Sequence, residues 1–516
     1  MRNNLGLLLA KRAHLSPGLE ALVEPGGRRL CYAELEARSN RSADALAALG
    51  VRKGDRVALL LMNGPEFVES FFAVAKLGAV AVPLNWRLVP DELAFILKDS
   101  GSKLVVYGGE FAAQVADLRA RGRQGSDVLH WLHVGDAGTR SDFALDYDAL
   151  QQQASDALPP IDASDEDVLY IMYTSGTTGL PKGAVHTHAS ALWTLLTIGA
   201  TADTRYRDRY LLSLPLFHVG ALTPLAGNVY RGISTVVMRA FDPVRSWELI
   251  RDEQINIALA VPSMLNFMLQ AYRKMEAYQI PPCLRWIMSG AAPVPVTLIE
   301  AYAKLGIEIH QVYGLTESCG PACLTSPDEA LAKIGSTGKA FFHTEVRVVN
   351  ERGEEVAPGE PGEVLVRGRH VMKEYWNRPD ATAETLRDGW LYTGDVATID
   401  KDGCIYIKDR TKDMIISGGE NVYPAEIENV LLGHPKVAEV AVIGQPSEKW
   451  GESPLAVVVR AQPDLSCDEV LAWANGKLAR FKLPKAVEFV DEIPRNPSGK
   501  VLKRLLRERF PGPARE

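Results

Sequence analysis

The sequence predicts a mixed α/β protein with more than one domain. Its 516 residues exceed what one hydrophobic core supports. Strand-like apolar segments alternate with helical periodicity through about the first 400 residues, as in DRVALLLM, PEFVESFFAVAKLG and AVAVPLN. This alternation favours mostly parallel sheets. Short β segments with turns replace it from about residue 335, and the last hundred or so residues are typical of a small α+β unit.

The N-terminal segment MRNNLGLLLAKRAHLSPG predicts a short amphipathic helix capped near Asn4. Its apolar run is too short for a signal peptide. The longest apolar window, LLSLPLFHVGALTPLAGN, contains Pro215, His218 and Pro224, which favours a buried strand, loop and helix over a membrane span. We expect a soluble, cytoplasmic protein without a transmembrane segment, and peripheral membrane contact stays open.

Charge and cysteine usage exclude several classes of protein. A net charge of −7 argues against a nucleic-acid partner. The six cysteines are scattered without a CxxC pair, which indicates reduced thiols. Cys319 and Cys323 lie close together, but no further ligand spacing completes a metal site. His186 and His188 would share one face of a strand, where a packed or hydrogen-bonded role is favoured over metal binding.

The stretch TSGTTGLPKG, residues 174–183, is predicted to be a loop between two strands, VLYIMY and AVHTH. Its glycines bring backbone N–H groups close to a ligand, its hydroxyls add donors, and Lys182 adds a fixed charge. That combination suits a polyphosphate. It is not a Walker A loop, which needs Gly-Lys followed by Ser or Thr and a helix. From the residues alone, a flexible solvated loop is an equal alternative.

Two further segments carry side chains suited to a nucleotide. IMSGAAPVP is a strand that ends in a turn of small residues, which leaves room for a flat ring. QVYGLTES joins an aromatic ring (Tyr313), a hydroxyl (Thr316) and a carboxylate (Glu317), a set that can stack a base, bond a phosphate and hold magnesium. Each segment alone is better explained by a strand end with a polar cap.

Polar residues also recur toward the C-terminus. Asp395 follows a glycine turn in DGWLYTGD, Arg410 and Lys412 lie in IKDRTKD, and Lys500 lies in RNPSGK. Taken alone, Asp395 is typical of a turn, and the three basic residues are typical of solvated surface charges. Around them, PAEIENVLLGHP predicts a helix with proline at its first position, and SCDEVLAWA predicts a helix with a capping box.

Taken in order, the motifs TSGTTGLPKG, SGAAP, YGLTE, TGD, DRTKD, SGGENVYPAEIE and PRNPSGK resemble those of the adenylate-forming (AMP-binding) superfamily. The resemblance spans essentially the whole chain and is strongest to bacterial medium- and long-chain fatty-acyl-CoA synthetases. It implies a large N-terminal domain of helix-flanked sheets plus a distorted β-barrel (residues 1–411). A small, mobile α+β domain follows (residues 412–516).

The resemblance also implies roles for individual residues. The nucleotide contacts are Thr174, Ser175, Gly176, Thr177, Thr178, Gly179, Lys182, Gly290, Ala291, Ala292, Gln311, Tyr313, Asp395 and Arg410. The catalytic groups are Lys500, Glu317, Thr316 and His218, with Glu317 also the magnesium contact and Lys412 the hinge. Gly418 and Gly419 are the candidates for close approach of the CoA pantetheine, and Arg480 and Lys482 for its nucleotide phosphates, with solvated surface charges an equal alternative for the two basic residues. The acyl pocket is formed by Val261, Pro262, Ser263 and Gly314. Acetate-type relatives carry tryptophan at the last position, so Gly314 is expected to leave the pocket open.

The implied reaction is a two-step ligation that uses ATP, Mg²⁺ and coenzyme A. A carboxylic acid is activated as acyl-AMP with release of pyrophosphate, and the acyl group then passes to CoA. Medium- or long-chain fatty acids are the first expectation, and aryl or phenylpropenoid acids the second. Transfer to a carrier protein and a luciferase-like oxidation stay as alternatives. We expect a monomer or homodimer.

Overall fold

We describe the fold from a computed structural model. It describes residues 4–122, 126–174, 181–275, 278–292, 294–410, 413–417, 420–447, 450–475, 477–478, 480–495 and 501–512.

The α-helices of the described ranges are numbered in chain order. They are α1 (Leu5–Leu15), α2 (Tyr32–Ala48), α3 (Pro65–Lys76), α4 (Pro90–Ser100), α5 (Ala112–Ala120), α6 (Tyr147–Gln153), α7 (His188–Thr201), α8 (Val219–Arg231), α9 (Pro243–Asp252), α10 (Pro262–Tyr272), α11 (Val296–Ala303), α12 (Pro379–Thr385), α13 (Pro424–Leu432), α14 (Cys467–Ala474) and α15 (Lys503–Arg509).

The strands of the same ranges are numbered likewise. They are β1 (Glu20–Val23), β2 (Arg29–Cys31), β3 (Arg56–Leu60), β4 (Val80–Pro83), β5 (Leu104–Gly108), β6 (His130–Val134), β7 (Leu145–Asp146), β8 (Val168–Thr174), β9 (Lys182–Thr187), β10 (Arg209–Leu212), β11 (Ser234–Val237), β12 (Ile257–Ala260), β13 (Trp286–Ser289), β14 (Glu308–Tyr313), β15 (Cys323–Leu324), β16 (Lys339–Ala340), β17 (Glu345–Val349), β18 (Pro361–Arg367), β19 (Glu374–Tyr375), β20 (Leu386–Arg387), β21 (Trp390–Ile399), β22 (Ile405–Arg410), β23 (Ile415–Ser417), β24 (Glu420–Val422), β25 (Val437–Ser447), β26 (Gly451–Arg460) and β27 (Ala486–Phe489).

Two mostly parallel sheets form the larger part of the fold. One has the strand order β16-β15-β14-β13-β12-β10-β11-β1-β2, and the other has the order β19-β9-β8-β4-β3-β5-β6-β7. Parallel pairing runs through the middle of each, and antiparallel pairs occur toward their ends. The α/β class that the alternating pattern predicts is therefore confirmed.

The unit β3-α3-β4 shows how the apolar pattern produces this layering. Val57 to Leu60 are fully buried in β3, as is all of β4. Helix α3 begins with Pro65 at its first turn, where the missing N–H has no intrahelical partner to lose. Its Phe67, Phe71 and Phe72 are each about 1% exposed. Every residue of this helix except Glu66 is buried, and the helix contacts α1 and α2.

Most of the local predictions near the N-terminus and around the loop at residues 174–183 are confirmed. The Asn4 side chain accepts from Gly6 N–H and caps α1. Strands β8 and β9 are antiparallel, with Thr174 opposite Lys182, and they flank the predicted loop. One expectation is wrong, because His188 does not share a strand face with His186. Strand β9 ends at Thr187, whose side chain caps α7, and His188 is the first residue of that helix.

Two smaller sheets follow in the chain. Strands β17, β18, β21, β20 and β22 pair antiparallel in the stretch where the resemblance implies a distorted barrel. The C-terminal sheet has the order β24-β23-β26-β25, with β27 beside β26. Helix α13 starts at Pro424 and α14 carries the Ser466–Glu469 capping box, as predicted. Helices α13 and α15 pack against β25.

Among the residues described, no helix combines the length and the apolar character that crossing a membrane requires.

Candidate active site

One large cavity of about 1150 Å³ lies beside the predicted phosphate loop. Its walls include the ends of β8 and β9, the turn after β14, helices α7 and α8, and residues near α15. The cavity brings together nine of the site residues predicted from the sequence. These are Thr174, Lys182, His218, Val261, Gly290, Ala291, Gly314, Thr316 and Glu317.

The polar end of the cavity is organised around Glu317. Its Oε1 accepts a 2.7 Å hydrogen bond from the Tyr375 hydroxyl. Lys182 Nζ lies 5.1 Å from the centroid of the same ring. Met372 N–H donates to the Glu317 carbonyl at 2.7 Å, which fixes the backbone. A carboxylate and an ammonium are thus held on two sides of one aromatic ring, an arrangement suited to a polyphosphate and its cation.

His218 marks the junction between this polar end and the apolar part of the cavity. It is the residue before α8, and its ring packs on Phe217 with centroids 4.5 Å apart. Burial, with a smaller contribution from the Arg87 cation, lowers the pKa of His218 to about 4. Its Nε2 is buried and has no hydrogen-bond partner in the described structure. A neutral imidazole with an unused nitrogen is suited to contact a reacting carboxyl group.

Two helices and a sheet line the rest of the cavity, a mainly apolar part that we call the tunnel. Seven residues of α8 line it, and they recur on one helical face: Val219, Gly220, Thr223, Pro224, Gly227, Asn228 and Arg231. Three residues of α7 also line it, Leu195, Ile198 and Gly199, together with Ala202, the residue that follows the helix. The third wall comes from the large sheet, with Tyr210, Leu259, Trp286 and Met288. At about 1.5 Å per residue, the lined face of α8 is roughly 18 Å long.

Two glycines of the site owe their identity to close backbone contacts. A Cβ on Gly314 would lie 1.5 Å from the Gly320 carbonyl oxygen, and a Cβ on Gly290 would lie 2.2 Å from that of Val312. Gly314 lines the cavity as predicted. The close contact adds a reason for glycine that the sequence analysis did not give, because its missing side chain leaves room for the backbone of residue 320.

Tyr313 and Asp395 are in contact, and the strand pairing brings Arg410 opposite Asp395, although none of the three is in the described cavity lining. The Tyr313 hydroxyl donates to Asp395 Oδ2 at 2.7 Å, and both residues are under 10% exposed. Asp395 on β21 is paired in register with Arg410 on β22. Burial, aided by the Asp395 carboxylate, raises the pKa of Tyr313 well above its usual value. The structure thus joins three predicted nucleotide contacts that are separated by 82 and 15 positions in sequence.

Other predicted residues are not at the cavity. Its described lining includes Val261 but excludes Pro262 and Ser263, which begin α10, and it excludes Ala292 and Gln311. Arg480 and Lys482 form a short helical turn away from it, where Lys482 Nζ contacts both Glu426 oxygens at 2.8 and 2.7 Å. Lys482 is thus paired with Glu426, and its assignment to CoA stays a prediction.

The remaining predictions fall outside the described residues. They are Ser175, Gly176, Thr177, Thr178 and Gly179 of the loop, Lys412, Gly418, Gly419 and Lys500.

The C-terminal region supplies a wall that sequence reasoning missed. Arg495 and Val501 line the cavity and form an isolated antiparallel bridge. Lys503 also lines it, and its Nζ contacts Glu428 at 3.0 Å and Asp409 at 3.7 Å. Burial opposes the charged form, but these two carboxylates raise the pKa of Lys503. The ion pairs hold α15 against α13 and the end of β22.

Tyr375 and the lined face of α8 were also missed. Tyr375 lies 58 residues after Glu317, and no local pattern marks it. The face of α8 does have a signal, because small or apolar residues follow His218 at helical spacing.

The site therefore joins a polar, phosphate-suited end to a deep apolar tunnel, the arrangement of an enzyme that activates an acid with a nucleotide. The family model of the AMP-binding enzyme matches residues 9–376, and that of the AMP-binding enzyme C-terminal domain matches residues 426–500. The chain belongs to the AMP-binding enzyme family.

Individual relatives are similar over their whole length. The chain is 48% identical to the long-chain-fatty-acid–CoA ligase FadD13 of Mycobacterium tuberculosis, over 98% of each chain. It is 42% identical to a feruloyl-CoA synthase of Amycolatopsis sp, over 99% of this chain and all of the relative. Among solved structures, the o-succinylbenzoate CoA synthetase of Bacillus subtilis in complex with its acyl-adenylate intermediate superposes with a TM-score of 0.86 at 34% identity, covering 100% and 99% of the two chains.

Proposed function

We propose that the protein is an ATP-dependent ligase that joins a medium- or long-chain fatty acid to coenzyme A through an acyl-AMP intermediate. One observation carries the proposal: a single cavity connects Lys182, Thr316 and Glu317 with an apolar tunnel that begins at His218. The acid would lie in the tunnel with its carboxylate at His218, next to the α-phosphate of ATP. Full-length similarity to FadD13, itself a long-chain-fatty-acid–CoA ligase, supports this assignment.

In the first step the carboxylate oxygen attacks the α-phosphorus, and pyrophosphate leaves. Because both reactants are anions, the site must supply positive charge and hold them in line. Lys182 lines the cavity and would contact the phosphates, and the resemblance assigns Lys500 to the charge that develops during attack. Arg495 and Val501, on either side of residues 496–500, line the same cavity. Their position supports participation of this segment in the first step.

Magnesium fits the donor set at Glu317. Mg²⁺ is commonly held by one or two carboxylates together with substrate phosphates, rather than by a protein cage. Within the described residues no group of three His, Cys, Asp or Glu side chains forms such a cage. Glu317 faces the cavity with one oxygen engaged by Tyr375. Bound there, the ion would neutralise charge on the phosphates.

In the second step the CoA thiolate attacks the acyl carbonyl carbon, the thioester bond forms and AMP leaves. Residues of the C-terminal region occupy one wall of the cavity. We therefore infer that this region moves between steps so that the thiol reaches the acyl-AMP, with Lys412 as the hinge that the resemblance implies.

The test is thioester formation from ATP, CoA and acids that range from acetate through octanoate to palmitate, together with ferulate. We expect ATP- and CoA-dependent product with the longer saturated acids. The proposal fails if no acid gives both pyrophosphate and a CoA thioester.

Aryl acids are the second candidate, and two observations favour them. Tyr210, Trp286 and Phe341 contribute rings to the cavity wall, and one relative is a feruloyl-CoA synthase. A higher kcat/KM for ferulate than for octanoate would select this candidate.

A further inference from the structure

A buried histidine lies directly behind the turn that carries Thr316 and Glu317. His186, on β9, is completely buried, and its Nε2 is 2.8 Å from the Thr316 carbonyl oxygen. A carbonyl oxygen only accepts, so Nε2 must carry the proton and donate. The other ring nitrogen, Nδ1, is buried as well, and the imidazole also interacts with the Cys319 side chain. Packing alone does not require an imidazole at this position.

The Thr316 carbonyl also accepts from the Cys319 N–H at 3.0 Å. Both of its lone pairs are thus engaged. This carbonyl belongs to the peptide that links Thr316 to Glu317. Two donors from different directions fix the plane of that peptide, and the plane sets the directions of both side chains.

Cys319 is itself held in an uncommon conformation. Its φ is 58°, in the left-handed region that non-glycine residues seldom adopt. Its carbonyl accepts from the Thr223 hydroxyl at 3.0 Å, and its thiol lies 3.0 Å from the Tyr170 hydroxyl. Tyr170 is the cross-strand partner of His186, with ring centroids 5.0 Å apart. The side chains of Tyr170, His186, Thr223 and Cys319 therefore contact one another or the backbone of the turn that carries Thr316 and Glu317.

We propose that His186 is a positioning residue for acyl-AMP formation. It touches neither acid nor nucleotide, and it acts by fixing the Thr316–Glu317 peptide so that both side chains face the phosphates. The inference rests on the proposed function, because it assigns Thr316 and Glu317 to the nucleotide. It predicts that the first half-reaction depends on a donor at the Nε2 position.

The test compares His186→Leu with His186→Gln in the full-length protein. Leucine removes the donor, whereas the glutamine amide nitrogen reaches about as far as imidazole Nε2 and keeps it. Acyl-AMP formation is followed by pyrophosphate release, and ATP affinity by calorimetry. The second half-reaction is measured with preformed acyl-AMP and CoA.

We expect the leucine variant to lose at least tenfold in kcat for acyl-AMP formation and severalfold in ATP affinity, with the second half-reaction within about threefold of wild type. Glutamine should restore most of the loss. Equal impairment of both variants, or equal loss in both half-reactions, would show a packing role and overturn the proposal.

Should the leucine variant fail to fold, His186→Asn takes its place, because its shorter amide ends near Nδ1 and does not reach Thr316. Equal rates for the glutamine and asparagine variants would then refute the donor role. Failure of the proposed function is a separate result, in which the wild-type protein itself forms no acyl-AMP.

Discussion

Gly314 and Gly227 both line the cavity, but a side chain at each would meet different surroundings. At Gly314 a Cβ would lie 1.5 Å from the Gly320 carbonyl oxygen, a contact that backbone must relieve. At Gly227 the nearest atom would be Leu195 Cδ2 at 3.9 Å, an ordinary contact. The fold therefore requires glycine at position 314. At position 227 the fold would accept a side chain, so glycine there is explained by the space that the ligand needs.

We expect Gly314→Ala to impair every substrate alike. The Gly320 carbonyl must shift, and overpacking of this kind typically lowers the free energy of unfolding by ~1–3 kcal/mol. Because the Thr316–Glu317 turn follows directly, kcat/KM should fall for acetate and octanoate together. Urea unfolding and the two rate constants check this. A variant of wild-type stability that loses only octanoate would restore the tunnel interpretation of Gly314.

A second residue-scale prediction concerns His188. Its side chain is completely buried, and its Nδ1 accepts from Leu5 N–H at 3.0 Å, which requires the neutral ring. Burial lowers its pKa to about 4. The pKa of this histidine in the unfolded chain is near 6.5. Between pH 6.5 and pH 4 the unfolded chain therefore binds a proton at His188 that the folded chain does not bind. The neutral ring therefore contributes stability above pH 6.5 that is lost as the pH falls toward 4, about 3 kcal/mol in all.

We expect His188→Asn to flatten this dependence, because the asparagine oxygen accepts in place of Nδ1 and does not titrate. The measurement is the free energy of unfolding in urea at several pH values from 7 to 4. His14→Asn on the surface is the matched control and should retain the wild-type slope. An unchanged slope in the His188 variant would contradict the assignment.

At the scale of elements, α8 lines the tunnel from one end of the helix to the other. Its lined face runs from Val219 near the reacting end to Arg231, whose Nη2 donates to the Thr204 carbonyl at 2.5 Å. Glycine within a helix is less favourable than alanine by ~0.5–1 kcal/mol. Helix stability therefore does not explain Gly227, whereas an open tunnel does.

We expect Gly227→Leu to exclude long acids and spare short ones. Position 227 is eight residues beyond Val219, so its side chain enters the tunnel roughly 12 Å along the helix. The kcat/KM for palmitate should fall at least tenfold while that for acetate changes little. Gly227→Ala is the control, and it should keep palmitate activity with equal or higher stability. Equal rates for palmitate in the leucine variant and wild type would place the acyl chain elsewhere.

For the whole molecule, the sequence predicts more of the fold than of the site. Alternating apolar segments and caps, such as the Ser466–Glu469 box, are local signals, and the helices and strands follow them. Tyr375 and His186 approach the Glu317 turn from distant strands, so no local pattern reveals either. The reason for Gly314 also escapes sequence reasoning, because it depends on the carbonyl of a residue six positions away in a folded turn.

The C-terminal region supplies one wall of the cavity. Lys503, Arg504 and Arg507 line the cavity together with Glu317, although the family match divides the chain between residues 376 and 426. Ion pairs of Lys503 with Glu428, and of Arg507 with Asp413 at 2.9 Å, hold α15 at this wall. In the proposed two-step reaction, this wall is the part of the cavity that must move before a thiol can approach the acyl-AMP.

We therefore expect Lys500→Ala and Lys412→Pro to fail in opposite half-reactions. Removing a positioned cation typically costs ~2.7–4 kcal/mol of transition-state stabilisation, so Lys500→Ala should lose acyl-AMP formation and still convert preformed acyl-AMP with CoA. Proline at position 412 fixes φ and opposes rotation, so acyl-AMP should form and accumulate in quenched-flow samples. Loss of both half-reactions in the proline variant would refute the hinge. Thioester synthesis by the alanine variant within tenfold of wild type would refute the lysine's role.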